Sequence, residues 1–317
     1  MGICKIAVFV VKKHCGAGEL ALPQDVDQLQ TCETGTLNVR QLAFGLAFSA
    51  LIAWAGYRGH SLSRSGLVGA IIVGTITFGL SGWTWGLLLI AFFVSSSLLS
   101  HYRKADKRGL AEKFAKTGQR DLGQSLANGG WGAILAIAYF WKPDPVLFAA
   151  FVGAMAAVNA DTWATELGVL SSSSPRLLTT GKRVPIGTSG GVTALGTMAA
   201  LGGSLFIGLV AFVLGWVETV LGSGPVGESY LWLLPVGILG GLSGSTFDSL
   251  LGATVQGIYY CPQCRKETES KVHRCGQLAQ PLRGWRWLNN DLVNFVSSIV
   301  GSLVAGLVMC IGQCVFR

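Results

Sequence analysis

Long apolar segments separated by short polar ones make up most of the chain from residue 40 onward. Each segment is close to the roughly 20 residues that a helix needs to cross the hydrocarbon core of a bilayer. Eight such segments cover residues 40–57, 66–82, 84–100, 122–141, 145–160, 190–216, 231–257 and 290–315. The pattern predicts an all-α, polytopic integral membrane protein with about eight transmembrane helices. Residues 1–39 are predicted to form a poorly ordered extension, and residues 40–317 a single membrane domain.

Composition supports the same fold class. Half of the 317 residues are hydrophobic, only 13% are charged, and 44 are glycine, a residue that lets membrane helices approach closely. The net charge of +8 could indicate a nucleic-acid partner. We expect none, because the basic residues lie in loops between apolar segments, where the positive-inside rule accounts for them.

The distribution of basic residues predicts an orientation. The loops at 58–65, 101–121, 161–189 and 258–289 carry most of the arginines and lysines, whereas the intervening connections are short or acidic. We therefore expect these four loops on the cytoplasmic side of the membrane. An even number of spans would then place both termini outside, which the basic residues near the N-terminus oppose, so the side of the N-terminus stays open.

Polar residues recur on one face of several segments near their predicted cytoplasmic ends. The fourth segment carries Asp121, Gln124, Ser125 and Asn128, the eighth carries Asn290, Asp291, Asn294 and Ser297, the seventh carries Asp248, and the fifth ends near Asn159 and Asp161. Clustered carboxylates repel one another unless a cation relieves them, and oxygen ligands suit Mg²⁺. The spacing predicts a magnesium site formed by Asp161, Asp248 and Asp291. The alternative is that these side chains only hydrogen-bond the helices together.

Glu166 is a further candidate catalytic acid whose position depends on the backbone. It follows Asp161 by five residues, so on an unbroken helix the two would point about 140° apart. Glu166 would then share a face with Asn159 and Thr162, and would join Asp161 only if the helix breaks between them.

The segment 181–191 has the composition of a phosphate-binding turn. Glycines allow backbone N–H groups to approach an anion, hydroxyls add donors, basic side chains add charge, and a helix predicted to begin near Gly191 would direct its positive end the same way. The order of residues is not that of a Walker A loop. The candidate phosphate ligands are Lys182, Arg183, Gly187, Thr188, Ser189, Gly190 and Gly191.

The loop at 258–289 contains Cys261, Cys264, His273 and Cys275. The C-x-x-C pair resembles half of a zinc ribbon, which the other two residues could complete. A redox-labile cysteine pair and plain loop cysteines are the alternatives.

Five ordered segments together resemble the transmembrane protein 19 family, also described as domain of unknown function 92. They are DTWATELG, TGKRVPIGTSGGVT, GSTFDSLLGATVQ, the CPQC and HRCG loop, and WLNNDLVNFVSSIVG. The resemblance runs from about residue 41 to the C-terminus. It implies a membrane protein related to a plastid phytyl-phosphate kinase, which makes phytyl diphosphate from a nucleoside triphosphate, with CTP the expected donor. Dolichol and phytol kinases are more distantly similar, with Gly before the aspartate where Ala160 stands here.

The leading hypothesis is a prenyl- or phytyl-monophosphate kinase. Lys182, Arg183 and the turn at residues 187–191, called the glycine turn below, would hold the nucleotide phosphates. The aspartates would bind Mg²⁺, and the lipid phosphate would lie among Arg120, Asn128, Asn290 and Asn294. Its partners would be an isoprenoid phosphate, a nucleoside triphosphate and the bilayer, and a homo-oligomer is compatible with the sequence. Intramembrane acids also fit a transporter of a small solute or ion. A non-catalytic membrane protein with the cysteine loop as a docking module is the third hypothesis.

Overall fold

The computed structural model describes residues 37–102, 119–221 and 227–315. Within these residues there are eight long helices: α1 Val39–Arg58, α2 Arg64–Ser81, α3 Trp83–His101, α4 Leu122–Trp141, α5 Pro145–Gly168, α6 Ala194–Val220, α7 Leu233–Thr254 and α8 Asn290–Val315. Seven are long and apolar enough to cross a membrane by length and composition. The other, α4, is 20 residues long but carries polar residues in its first two turns. The prediction of an all-α, multi-pass membrane protein is confirmed.

The ends of two predicted segments were wrong. The fifth segment does not end at residue 160, because α5 continues to Gly168. Trp163 stacks on Phe206 of α6 with ring centroids 5.7 Å apart, so the last two turns of α5 are held by packing. The sixth helix begins at Ala194 rather than near Gly191, and the Thr193 side chain accepts a hydrogen bond from the N–H of Gly196 at 3.0 Å.

Helix α5 is the centre of the bundle and packs against α3, α4, α6, α7 and α8. Its residues from 151 to 160 are all buried. Phe148 and Phe151 of this helix contact Trp85 of α3, with ring centroids 5.5 and 4.4 Å apart. The buried core therefore lies around α5, and α1 and α2 pack at its periphery.

A layer of glycines brings α5, α7 and α8 into backbone contact. A Cβ at Gly153 would lie 2.5 Å from the carbonyl oxygen of Gly301, and one at Gly240 would lie 2.9 Å from the Cα of Gly153. Asp161 and Asp248 each follow their glycine by eight residues, or about 12 Å along a helix. Asp291 precedes Gly301 on the antiparallel α8. The glycine layer therefore brings all three aspartates to the same end of the bundle.

Short strands lie in two of the connections at that end, an addition to the predicted all-α fold. Strands β1 (Arg176–Leu177) and β2 (Gly191–Val192) pair antiparallel between α5 and α6. Between α7 and α8, strands β3 (Ile258–Cys261), β4 (Lys266–Thr268) and β5 (Gln280–Arg283) form an antiparallel sheet in the order β4-β3-β5.

Some predicted segments fall outside the described residues. The N-terminal extension 1–39 does so except for its last three residues, and so does most of the loop at 101–121. The division of the chain into an extension and a membrane domain therefore stays a prediction.

Candidate active site

A polar cavity of about 660 Å³ lies at the end of the bundle where α5 and α7 end and α6 and α8 begin. The four basic loops of the sequence meet at this end. Leu62, before α2, forms a β-bridge with Arg120, before α4, and Ser189, before α6, donates a hydrogen bond to Gln256, after α7. All the predicted site residues of the helices and the glycine turn line the cavity. They are Arg120, Asn128, Asp161, Glu166, Gly187, Thr188, Ser189, Gly190, Gly191, Asp248, Asn290, Asp291 and Asn294.

Three carboxylates form the acidic part of the wall. The side chains of Asp161, Asp248 and Glu269 are close enough for their charges to interact pairwise. Within the described part of the chain, Oδ2 of Asp248 is buried and has no hydrogen-bond partner. Asp291 lines the same cavity. The acidic cluster also contains Glu269, which sequence analysis missed.

Gln256 connects this cluster to the glycine turn. Its side chain is 1% exposed, and its Nε2 donates to Oε1 of Glu269 at 3.1 Å. Its Oε1 accepts the hydroxyl proton of Ser189 at 2.7 Å. Arg283 of β5 adds a second connection by donating to the carbonyl oxygens of Gly252 and Ser189, at 2.8 and 3.2 Å. The hydroxyl of Ser189 thus holds the turn in place.

The turn itself lies against the end of α7 and needs glycine. Gly187 and Gly190 have φ of 78° and 79°, and a Cβ at Gly190 would lie 2.3 Å from the backbone nitrogen of Ala253. The N–H groups of Thr188 and Gly191 bond within the turn. Those of Gly187, Ser189 and Gly190 have no acceptor among the described residues. A glycine-rich turn with free N–H groups at a cavity is suited to binding an anion.

Arg120 and Glu166 form a separate part of the wall. Arg120 donates to Oγ of Ser97 at 2.9 Å, and its guanidinium lies 5.8 Å from the ring centroids of both Phe92 and Phe93. Burial lowers the pKa of Arg120 to about 10, and the charge of Glu166 opposes that shift. The guanidinium therefore stays positively charged at neutral pH.

Glu166 lies where an unbroken helix places it. It accepts a hydrogen bond from Ser100 of α3 at 2.7 Å, and Asn159 on the same face of α5 accepts one from Ser95 of α3 at 3.0 Å. Because α5 continues through Gly168, Glu166 is directed away from the cluster around Asp161.

Two predicted phosphate ligands are not in the cavity wall. Lys182 and Arg183 are exposed on the hairpin between β1 and β2. Their backbone pairs with the preceding strand, through Leu177 N–H to Lys182 O at 2.9 Å and a bridge between Arg176 and Arg183. Among the described residues, the arginines that line the cavity are Arg120 and Arg274.

Some polar residues tie helices together, as the alternative interpretation expected. Buried Asn159 donates to the carbonyl oxygen of Gly203 on α6 at 2.9 Å. Ser302 of α8 donates to Ala150 O at 2.8 Å and accepts from Trp131 Nε1 at 2.8 Å. Gln124 and Asp121 do not join two helices but form a capping box that stabilises the start of α4.

Comparison with known proteins identifies the family. Residues 47–302 match the family described as Integral membrane protein DUF92. The chain belongs to this family. The resemblance noted in the sequence is therefore confirmed, together with a multi-pass membrane location.

Several relatives align over most of this DUF92 protein. Protein PGR of Arabidopsis thaliana is 35% identical over 281 residues, covering 84% of this chain and 96% of the relative. An uncharacterized membrane protein of Methanocaldococcus jannaschii is 30% identical over 80% of this chain and 88% of its own length. Protein VTE6, chloroplastic, of Arabidopsis thaliana is 28% identical over 77% of this chain and 64% of its own length. No solved structure matches.

A narrow apolar crevice of about 80 Å³ adjoins the polar cavity. It lies among α1, α2, α3 and α4, and its apolar lining includes Phe48, Ile52, Val73, Phe78, Ile90 and Phe93. Arg120, Gln124 and Asn128 line both the crevice and the polar cavity. The two spaces therefore share a polar wall.

The structure also brings together the four residues of the predicted zinc set. One ligand atom from each of Cys261, Cys264, His273 and Cys275 lies within 4.8 Å of every other. The loop that carries them supplies three site residues that sequence analysis did not select, Gln256, Glu269 and Arg274. The sequence offered one indication of Glu269 and Arg274, which is that both lie within the segment bounded by Cys261 and Cys275.

Proposed function

We propose that this DUF92 protein is a membrane-embedded phosphotransferase that acts on an isoprenoid monophosphate. The terminal phosphoryl group of a nucleoside triphosphate, with CTP the first candidate, would pass to a phosphate oxygen of the lipid. The products would be a nucleoside diphosphate and an isoprenoid diphosphate. The wall shared by the apolar crevice and the polar cavity carries this proposal, because such a pair of spaces suits a substrate with an apolar tail and a charged head.

The lipid phosphate would lie against the shared wall. Arg120 is held by Ser97 and by the two phenylalanine rings, so its guanidinium is fixed in one place. A guanidinium can contact two phosphate oxygens at once, and Asn128 adds an amide donor. Asn290 and Asn294 line the same cavity from the first turns of α8. The tail would extend between α1, α2, α3 and α4.

The acidic cluster fits a magnesium ion. Asp161, Asp248 and Glu269 offer only oxygen ligands. Oδ2 of Asp248 is buried without a hydrogen-bond partner among the described residues, and the hydroxyl of Ser297 lies beside this carboxylate. Several carboxylates at one site are costly unless a cation compensates them. Bound Mg²⁺ would neutralise phosphate charge and orient the phosphate oxygens during transfer. Asp291 lines the same cavity and completes the set named from the sequence.

The nucleotide phosphates would lie at the glycine turn. The N–H groups of Gly187, Ser189 and Gly190 are available there, and the first turn of α6 borders the cavity through Thr193 and Thr197. A helix N-terminus favours negative charge at its end. The cavity volume is within the range of about 300–1,000 Å³ that is usual for small-molecule sites.

The decisive test uses the purified full-length protein in detergent with Mg²⁺, labelled CTP or ATP, and a panel of prenyl phosphates. We expect labelled lipid diphosphate from the native protein, and a loss of about 100-fold or more with Asp161→Asn. Asp144→Asn is the matched control, because Asp144 caps α5 at the opposite end. Unchanged turnover in Asp161→Asn would contradict the assignment of the site. Transport of a solute by proteoliposomes without nucleotide consumption would favour a transporter.

A further inference from the structure

The loop between α7 and α8 has the architecture of a metal-binding ribbon. Cys261 ends β3 and Cys264 follows in a tight turn, with Cys264 N–H directed at Cys261 Sγ at 3.5 Å and Arg265 at φ 53°. A second turn holds His273 and Cys275, followed by Gly276 at φ 85°. Each pair of side chains thus comes from its own turn, and the antiparallel sheet of β3, β4 and β5 brings the two turns together.

The spacing of the side-chain atoms fits a tetrahedral ion. The sulfur atoms of Cys261 and Cys275 are 3.7 Å apart. Two thiolates bound to zinc at about 2.3 Å with a tetrahedral angle lie about 3.8 Å apart. His273 Nδ1 is 3.2 Å from Cys275 Sγ, and His273 and Cys261 are both buried. Three sulfurs and one imidazole nitrogen are a ligand set typical of structural zinc.

The segment that these residues enclose also forms part of the polar cavity. Glu269 lies between Cys264 and His273, and Arg274 lies between His273 and Cys275. Both line the cavity, and Glu269 is held there by Gln256. The strands of the ribbon are only three or four residues long. Structures of that size usually need a metal or a disulfide to hold one conformation.

We infer that Cys261, Cys264, His273 and Cys275 bind one zinc ion, which holds Glu269 and Arg274 at the wall of the cavity. The zinc site stands independently of the proposed phosphotransferase. Only the catalytic consequence, a carboxylate and a guanidinium positioned for phosphate chemistry, rests on that function. Glu269 and Arg274 are therefore connected through the ribbon to the metal, although neither is a zinc ligand.

The first measurement is the metal content of the full-length protein purified under reducing conditions. We expect one zinc per chain in the native protein and in Cys314→Ser, whose cysteine lies near the end of α8. Zinc content should fall about tenfold or more in Cys264→Ser. Cobalt substitution of the native protein should give the visible absorption of tetrahedral cobalt. A native protein without zinc, or a disulfide between Cys261 and Cys264, would overturn the zinc site.

The second measurement tests the connection to the cavity without requiring turnover. Mg²⁺ should raise the melting temperature of the zinc-loaded native protein, and removal of zinc by a chelator should abolish most of that rise. Glu269→Gln should reduce the rise in the same way while retaining zinc. An unchanged Mg²⁺ effect after zinc removal would overturn the positioning role. The chelation experiment also covers the case in which Cys264→Ser does not fold. If zinc is bound and the Mg²⁺ effect depends on it, but no lipid is phosphorylated, only the proposed function fails.

Discussion

Ser189 donates its hydroxyl proton to the side-chain oxygen of Gln256 at 2.7 Å, and this bond joins two connections that are far apart in the sequence. The amide nitrogen of Gln256 in turn bonds to Glu269. One buried amide thus positions both the turn that would bind phosphate and an acid of the candidate metal site. Because Gln256 uses both ends of its side chain, a substitution there should affect both parts of the site together.

Replacing Gln256 by leucine tests this connection. The change keeps the size of the side chain and removes the hydrogen bonds to Ser189 and Glu269, and the loss of each bond costs about 1–3 kcal/mol. We expect a lower melting temperature and a turnover reduced by about 10- to 100-fold. The matched control is Gln277→Leu, since the Gln277 side chain is exposed. Equal effects of the two substitutions would show that Gln256 has no positioning role.

The carboxylates should show opposite effects on stability. Neutralising Asp248 removes repulsion from Asp161 and Glu269, so Asp248→Asn should melt a few degrees higher than the native protein when both are zinc-loaded and free of Mg²⁺. Asp291 lies in the first turn of α8, where a negative charge favours the helix by about 0.3–1 kcal/mol. Asp291→Asn should therefore melt lower. Thermal melting of the zinc-loaded protein without Mg²⁺ and then in Mg²⁺ measures both, and Mg²⁺ should stabilise Asp248→Asn less than the native protein. A fall in melting temperature for Asp248→Asn without Mg²⁺ would argue against carboxylate repulsion.

Two arginine substitutions separate the cavity from the hairpin. Arg120→Met removes the guanidinium from the shared wall, and we expect the KM for the lipid phosphate to rise by about 10- to 100-fold. Arg183→Met changes an exposed side chain outside the cavity and should leave KM within about twofold. Steady-state kinetics with a short-chain prenyl phosphate measure both. A larger effect at Arg183 than at Arg120 would restore the interpretation of Lys182 and Arg183 as phosphate ligands.

Hydropathy and charge predicted the helices and their common polar end. Both features are patterns among residues that are near one another in the sequence. Asp161, Asp248 and the glycine turn could be selected for the same reason. The roles of Glu269, Gln256 and Arg274 could not be predicted, because they depend on how the ribbon folds back between α7 and the glycine turn. Lys182 and Arg183 were selected by type, but the pairing of β1 with β2 leaves them outside the cavity. The continuation of α5 to Gly168 likewise depends on the packing of Trp163 against α6.

The apolar crevice predicts a dependence on the length of the lipid tail. Ala70 lines the crevice, so Ala70→Phe should place a ring in the space proposed for the tail. Transfer of apolar surface contributes about 0.8 kcal/mol per buried CH₂, so losing two or three such groups weakens binding by about 10- to 100-fold. We expect this rise in KM for long-chain prenyl phosphates and little change for a five-carbon analogue. Leu51→Phe, an exposed position on α1 outside the crevice, is the control. If Ala70→Phe raised KM equally for the short and long substrates, the tail would have to lie elsewhere, and the shared wall at Arg120 and Asn128 would no longer support a lipid substrate.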